Sequence, residues 1–536
     1  MKGFQVTINN DFDYCIYFDS THYDNYFVDE QNILIVVEGV ILNQPKINKK
    51  SFHDLYKQFG KDFSAQLEGE FVGFIFDRNL NLFYSFTNYT ATRKLFYYHH
   101  NNQFVVDTSL IRLVNYLKKN QFSFSLDVDT MYQLLTSGNT LENYTPIKEV
   151  KKLCDAEQLE FNLNNRTLKL DSYNKILEDF NGSKKEAIQQ INQLFTDAID
   201  LEFKRDEALN KEKFAFLSGG LDSRMTVLTA KKQGYQIDEA FCFSQKDYWD
   251  ETIAKSIAED YDIPFHFVPL NGGNYITKID EIFKISEGLG IYSGCLHTNY
   301  AYQFITKNKF GLLHSGQLGD GILGGFNRFP YKHAPTKEKI IVHERLFSRI
   351  ENNFNSLIKN YDREELFLTR NVGYNRTVLG SYLAEDISYQ VSPFMYSKFI
   401  QFAQSLPEKW KYKQAIYIDW INAFHKEATE YRWERTLLKP KSNLHTIIGD
   451  KIVKRLYNIS LNKILKQEAK GKMTAYNYYY LRNNLLREEM DLYFDTYIEQ
   501  VPNIDLKADL IYQYKEGNFT EKSAVLTVLS VVKHYF

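Results

Sequence analysis

The chain has 536 residues, with 65 Lys plus Arg against 67 Asp plus Glu and a formal net charge of −2 at pH 7. This length exceeds what one hydrophobic core usually serves, so two or three domains are expected. The balanced charge gives no electrostatic reason to expect a nucleic acid as partner, and no apolar run approaches the length of a membrane span. The cysteines Cys15, Cys154, Cys242 and Cys295 are scattered, which argues against a disulfide framework or a structural zinc site. Without a signal-peptide pattern, the expected location is cytoplasmic.

The first third of the chain has the pattern of antiparallel strands. Its aromatic and β-branched runs include NILIVVEGVIL at 32–42, FVGFIFDRN at 71–79 and NLFYSFTNY at 81–89. Asn-rich turns separate such runs, and a further hairpin is predicted at 156–173 with Asn164 and Asn165 at its tip. The pattern predicts a β-rich first unit.

From about residue 183 the apolar period becomes that of a helix, as in SKKEAIQQINQLFTDAIDLEF. Strands are predicted at 214–217 and 239–243, with a helix at 222–233 and Gly234 as its C-cap. Many helices follow. We therefore predict a mixed α/β fold with its domain boundary between residues 178 and 179.

The most informative stretch is FAFLSGGLDSRMTVL, which begins at Phe214. Glycines let backbone N–H groups approach an anion, the start of a helix adds partial positive charge, and Ser218 and Ser223 can donate to phosphate oxygens. A lone carboxylate would repel phosphate, so Asp222 suits a phosphate site if it also holds Mg²⁺. The alternative is a tight turn in which Asp222 is an ordinary N-cap. The whole hexapeptide favours binding of the pyrophosphate half of ATP.

The SGGLDS hexapeptide resembles the signature loop of the ATP-pyrophosphatases, in the version of the asparagine synthetase family. Three later stretches resemble that family in the expected order: DYWDETIAKSIAEDYDIPFH at 247–266, HSGQLGDGILGGF at 314–326 and SPFMYSKFIQFAQSLPEKWKYK at 392–413. In the first third, LEGEFVGFIFD at 67–77 and KLFYY at 94–98 resemble the family's glutaminase-type domain.

This resemblance implies an Ntn-hydrolase-like α+β sandwich over 1–178, followed over 179–536 by an adenine-nucleotide α-hydrolase-like parallel-sheet domain with a helical C-terminal part. It implies an ATP-dependent ligase that converts a carboxylate to an acyl-adenylate, releasing pyrophosphate, before an amine displaces AMP. The implied nucleotide-binding residues are Ser218, Gly219, Gly220, Leu221, Asp222, Ser223, Phe243, Ser315 and Gly316.

The resemblance also implies a metal site and a set of catalytic residues. Asp222 and Asp320 would share Mg²⁺, and the implied catalytic residues are Asp222, Asp320, Gln317 and Lys439. The family's late lysine does not align cleanly: Arg432, Arg435, Lys439 and Lys441 are all candidates, and Lys439 is preferred.

Departures from the family pattern narrow the function. Lys2 stands where glutamine-using members have their nucleophilic cysteine, Glu38 replaces the Asn of an oxyanion-binding Asn-Gly pair, and no Arg-Gly-Pro-Asp segment is present in the first 60 residues. In the glycine-rich stretch 314–326, Gln317 replaces a Glu of the family, and a glutamine cannot act as a general base. Tyr396 replaces an Asp, which indicates a changed substrate pocket. The N-terminal domain is therefore predicted to be an inactive glutaminase.

The leading hypothesis is an amide ligase whose amine does not come from glutamine, acting on small-molecule or peptide carboxylates and amines. Asparagine synthesis from free ammonia, tRNA thiolation or lysidine-type chemistry, and a non-catalytic nucleotide-binding scaffold are the alternatives. We expect no nucleic acid and no membrane partner. The oligomeric state stays open, with a homodimer as one candidate.

Overall fold

Two antiparallel sheets form the first third of the protein. The computed structural model describes residues 2–9, 11–18, 25–44, 49–173, 178–460 and 471–536. One sheet has the strand order β2-β1-β8-β7-β9 and the other β11-β10-β6-β5-β4-β3. The strands are β1 Phe4–Ile8, β2 Phe12–Ile16, β3 Tyr26–Glu30, β4 Ile33–Ile41, β5 Gly69–Asp77, β6 Leu82–Thr87, β7 Phe96–His100, β8 Gln103–Asp107, β9 Val150–Lys152, β10 Glu157–Asn162 and β11 Thr167–Ser172.

The two sheets pack face to face, and helices cover their outer faces. Phe4, Phe74 and Phe104 belong to the core between the sheets. On the outer face of the six-stranded sheet, Phe52 and Phe63 form a second apolar cluster with side chains of that sheet. The helices of this region are α1 Lys49–Phe59, α2 Leu110–Lys119 and α3 Val128–Ser137. The layered arrangement agrees with the predicted sandwich.

A parallel five-stranded sheet follows, with the order β14-β13-β12-β15-β16. Its strands are β12 Glu212–Phe216, β13 Glu239–Ser244, β14 Phe265–Pro269, β15 Phe310–His314 and β16 Gln390–Val391. The sequence predicted β12 and β13 but not the other three. The mixed α/β class and the change from antiparallel to parallel pairing are confirmed.

Helices surround this sheet and continue to the end of the chain. They are α4 Lys184–Leu209, α5 Leu221–Lys232, α6 Trp249–Asp260, α7 Ile279–Ser286, α8 Leu296–Tyr302, α9 Glu351–Ile358, α10 Glu364–Leu368, α11 Ser397–Ser405, α12 Glu408–Lys411, α13 Ala415–Phe424, α14 Asn443–Ile448, α15 Lys454–Ile459, α16 Tyr476–Arg482, α17 Asn484–Tyr497, α18 Ile504–Glu516 and α19 Phe519–Tyr535. Within the described ranges, no helix is both long and apolar enough to cross a membrane.

The C-terminal helices pack against the N-terminal third, which the sequence did not predict. Helix α19 packs against α3, and both contribute to one apolar core that also includes β7 and β8. The Tyr132 hydroxyl of α3 also donates a hydrogen bond to the Asp509 carboxylate of α18 at 2.7 Å. The predicted boundary at 178/179 falls between β11 and α4, but the two sides share a core.

Candidate active site

The two glycine-rich loops meet because their strands are neighbours. Strands β12 and β15 pair in parallel, and Ala215 aligns with His314. In an open parallel sheet, ligands bind at the carboxyl ends of the strands. The loop 218–223 follows β12, and the loop 315–320 follows β15, so both lie at this edge. The site that the sequence predicted from two separate stretches is therefore one place in the fold.

The loop 218–223 is called the phosphate loop below, after the role that the family resemblance implies for it. Its backbone amides donate to polar oxygens. The Ser218 amide donates to Ser223 Oγ at 3.0 Å, and the Gly220 amide donates to Ser218 Oγ at 3.2 Å. The Gly219 amide donates to the Asp250 carboxylate at 2.9 Å. Hydroxyl acceptors can be exchanged for phosphate oxygens, so the loop has the donors that a pyrophosphate group needs.

The carboxylates of Asp222 and Asp320 lie close enough to influence each other. The Asp320 amide donates to Asp222 Oδ2 at 2.8 Å, and the Tyr417 hydroxyl donates to Asp222 Oδ1 at 2.7 Å. Burial and then the charge of Asp320 raise the pKa of Asp222 to about 8. A divalent cation would relieve this cost, and carboxylate oxygens are ligands that Mg²⁺ prefers.

The fit to magnesium depends on these two carboxylates alone. Among the described residues, no group of three or more His, Cys, Asp or Glu side chains could hold a metal ion. Mg²⁺ is commonly bound by one or two carboxylates together with phosphate oxygens and waters, so Asp222 and Asp320 are a sufficient protein contribution. The residues present fit Mg²⁺ that arrives with a nucleotide.

Close backbone contact between the loops requires glycine. A Cβ atom on Gly316 would lie 2.2 Å from the carbonyl carbon of Asp222, and one on Gly319 would lie 2.7 Å from its carboxyl carbon. A Cβ on Gly316 would require the backbone to shift, and one on Gly319 would displace the Asp222 carboxyl group. The glycines of the second loop therefore allow it to pack directly on the start of α5.

A cavity of about 530 Å³ opens beside the loops. It is lined by six of the predicted site residues: Ser218, Ser223, Phe243, Ser315, Gly316 and Gln317. The residues Gly219, Gly220, Leu221, Asp222 and Asp320 shape the adjoining loops without lining this cavity. Its other walls are largely apolar and include Phe216, Ile291 and Tyr302. A cavity of this size and character is typical of small-molecule sites.

The basic candidates between residues 432 and 441 lie in different surroundings. Lys439 is half-exposed and pairs with Glu430 at 3.1 Å, and Lys441 approaches the same carboxylate at 3.5 Å. Neither lines the cavity. Arg435 donates to the Gln414 side chain at 2.8 Å, and its charge lowers the pKa of Asp222. Arg435, which also pairs with Asp450 at 2.8 Å, is thus the candidate whose charge reaches Asp222, whereas Lys439 is held by Glu430.

Gln317 and Tyr396 also have distinct positions. The Ser381 hydroxyl donates to Gln317 Oε1 at 3.0 Å, which fixes the orientation of the side chain that replaces the family's Glu. Tyr396 lies apart from the main cavity, in a small pocket with Glu68. Tyr396 therefore does not line the main cavity, and no contact in this structure supports its predicted role in a changed substrate pocket.

Two buried charged side chains that support the phosphate loop were not assigned a role from the sequence. Arg224 donates to the carbonyls of Gly219 at 3.0 Å and Ala428 at 2.8 Å, so it joins the loop to the segment after α13. Asp250, in the stretch 247–266 that resembles the family, accepts the Gly219 amide, and burial followed by the charge of Glu434 raises its pKa to about 7. The sequence did carry a signal for Arg224: it is a charged residue among the apolar residues of the predicted helix 222–233, which indicates a buried charge with specific partners.

The positions of the missing glutaminase residues are occupied by an ion cluster between the two parts of the protein. Glu38 is fully buried and pairs with Arg93, which also binds Glu385 at 2.6 Å. The Tyr389 hydroxyl donates to Glu38, and Lys2 Nζ donates to the Glu385 carbonyl at 3.4 Å. The side chains at the nucleophile and oxyanion positions therefore make structural contacts.

Comparison with known proteins identifies the central domain. Residues 190–428 match the family model Asparagine synthase, so the chain contains an asparagine synthase domain, and the suspected resemblance is confirmed. The family's chemistry indicates an ATP-dependent amidation. A search of curated proteins found no match.

Two solved structures are similar to parts of the chain. One is a glutamine phosphoribosylpyrophosphate amidotransferase from B. subtilis complexed with ADP and GMP, at 11% identity, a TM-score of 0.20, and coverage of 50% of this chain and 59% of that one. The other, titled as the allosteric regulatory enzyme of purine biosynthesis, has 11% identity, a TM-score of 0.19, and coverage of 55% and 57%. The chain thus spans less than two thirds of either protein, and no argument rests on these two.

Proposed function

We propose that the protein is an AMP-forming, ATP-dependent amide ligase. The observation that carries the proposal is the contact of the second loop with Asp222 at the edge of a 530 Å³ cavity lined by Ser218, Ser223 and Gly316. Phosphate-binding donors, two carboxylates suited to a cation and space for an acid thus lie together.

The reaction would have two steps. The substrate carboxylate attacks the α-phosphorus of ATP, the bond to the β-phosphate oxygen breaks, and pyrophosphate leaves. An amine then attacks the acyl carbon, AMP leaves with the bonding electrons, and the amine loses a proton. Ser218, Ser223 and the loop amides would hold the pyrophosphate, and Asp222 and Asp320 would hold Mg²⁺, which neutralises phosphate charge. Such a site accelerates by positioning and electrostatics.

The amine is proposed not to come from glutamine through the N-terminal domain. A glutaminase needs a nucleophile and an oxyanion donor. Lys2 and Glu38 supply neither, and Glu38 is already engaged by Arg93 and Tyr389. Gln317, fixed by Ser381, cannot accept the proton of the incoming amine. The amine nucleophile would therefore be a second substrate or part of the same substrate molecule.

The test is acid-dependent exchange of labelled pyrophosphate into ATP, run without any amine, over a panel of amino acids, peptides and other carboxylic acids. We expect exchange with at least one acid, and release of AMP rather than ADP once an amine is added. Asp222→Asn should abolish exchange, whereas the exposed control Asp197→Asn should keep it. If ATP binds but no acid in the panel supports exchange, the protein would be a non-catalytic nucleotide-binding scaffold. If asparagine forms from aspartate and ammonia, the protein would be an ammonia-using asparagine synthetase.

A further inference from the structure

The cavity contains one cationic side chain that the proposed reaction does not use. Among the residues that line it, Arg376 is the basic side chain besides His297, and Asp250 is the carboxylic one. His297 also lines it, but burial lowers the pKa of His297 to about 4, so its imidazole is neutral. Asp250 accepts the Gly219 amide on the phosphate loop. Arg376 belongs to another wall, together with Thr377 and Gly380.

Arg376 has only neutral partners. Its guanidinium donates to the carbonyl of Ser137 at 3.2 Å and more weakly to that of Lys339 at 3.4 Å. Across the described ranges, no carboxylate forms an ion pair with it. Burial alone lowers its pKa, yet a guanidinium stays protonated in proteins. A partly buried charge without a counter-ion carries a desolvation cost, so this side chain favours an anionic ligand.

The position of Arg376 separates it from the phosphate end of the site. Its guanidinium contacts the carbonyls of Ser137 and Lys339, and within the described ranges it forms no ion pair with Asp222 or Asp320. Arg376 instead stands next to the turn Thr377–Ala384, in which Ser381 holds Gln317. Gln317, on the loop 315–320, is thus linked through Ser381 to the segment that follows Arg376. An anion at Arg376 would be a second group of a bound substrate, apart from the pyrophosphate.

We propose that Arg376 recognises a substrate carboxylate other than the one that is activated. A guanidinium matches a carboxylate with two parallel hydrogen bonds, which gives orientation as well as affinity. The carboxylate has two possible sources: a second acidic group on the acid, or the free carboxylate of an amino-acid amine. This specificity role rests on the proposed function.

The kinetic test compares wild type with Arg376→Gln and Arg376→Lys, and with the exposed control Arg482→Gln. On the acid side, dicarboxylic acids are compared in pyrophosphate exchange with their methyl half-esters. On the amine side, glycine is compared with ethylamine in amide formation. We expect Arg376→Gln to raise the KM of the carboxylate-bearing partner by about 10- to 100-fold, because a charge-assisted hydrogen bond is lost. The KM for ATP and turnover of the half-ester or ethylamine should stay within about twofold, and Arg376→Lys should recover part of the loss.

A second test needs no turnover, so it separates this proposal from the proposed function. Phenylglyoxal labels accessible arginines, and peptide mass mapping reports the rate at Arg376. Glutarate should slow labelling of Arg376 if the acid carries the second carboxylate, and glycine should slow it if the amine does, while dimethyl glutarate, ethylamine and ATP do not, even if no amide product is ever found. Equal labelling with and without both glutarate and glycine, or a variant that raises the KM for ATP as much as that for the carboxylate-bearing partner, would overturn the proposal.

Discussion

The buried His314 at the end of β15 makes the stability of the central domain depend on pH. Its ring binds Asp206 at 2.7 Å and Glu202 at 3.0 Å, and all three side chains are at most 2% exposed. Burial lowers the pKa of His314, but the two carboxylates more than offset it, and the result is a pKa raised to about 9. From an ordinary value of 6.5, this rise is worth about 3 kcal/mol of stability.

The sign follows from proton binding. Because the folded state holds the proton more tightly than the unfolded chain, the full stabilisation is present below about pH 6.5 and is lost as pH rises through about 9. Burial also raises the pKa of Glu202, which acts in the same direction. We therefore expect the central domain to unfold more easily at pH 9 than at pH 6.5.

Tryptophan fluorescence measures this domain selectively, because the four tryptophans are Trp249, Trp410, Trp420 and Trp433. Urea midpoints at pH 6.5, 7.5 and 9 would be compared for wild type, His314→Gln and the exposed control His100→Gln. We expect the pH dependence of the midpoint to shrink in His314→Gln alone. A histidine NMR titration should show one ring that stays protonated past pH 8. The same pH dependence in wild type and His314→Gln, or no such ring, would refute the reasoning.

Three further substitutions test the site. Gly316→Ala adds a Cβ 2.2 Å from the Asp222 backbone, so we expect pyrophosphate exchange to fall by about 100-fold with unchanged circular dichroism; activity near wild type would contradict the close contact. Arg435→Met should reduce exchange at least tenfold (about 1.4 kcal/mol) and Lys439→Met, whose amine pairs with Glu430, should not; the reverse order would restore Lys439 as the catalytic candidate. Arg93→Ala leaves two buried carboxylates unpaired and should cost about 3–5 kcal/mol, measured by denaturant unfolding followed by circular dichroism, while loss of under 1 kcal/mol would mean the cluster is not a structural link.

Local patterns predicted the features that local chemistry determines. The strand, the glycine turn and the helix around Ser218 lie within a few residues of one another, and the structure reproduces them as β12 and α5. Ser183 caps α4 with Glu186, as the change of period there suggested. These elements needed no knowledge of distant parts of the chain.

Contacts between distant segments were beyond such patterns. Arg376 meets Ser137, 239 residues earlier in the chain, and nothing in the residues around either one signals the contact. The packing of α19 against α3 is likewise a contact between distant segments that neither local sequence signals. Short strands such as β16, with two residues, are too short to show an alternating pattern of apolar and polar residues. The late segment offers several basic residues, and the pairing of Lys439 with Glu430 on the surface depends on a chain path that local sequence does not determine.

The walls of the cavity do not follow the limits of the matched domain. Gly138 comes from the end of α3, and Met473 comes from the segment before α16, so both lie outside residues 190–428. A fragment cut to those limits would carry the phosphate loop but leave the substrate side open to water. Engineering that treats this domain as a portable module should therefore keep the loop 218–223 but lose part of the cavity wall.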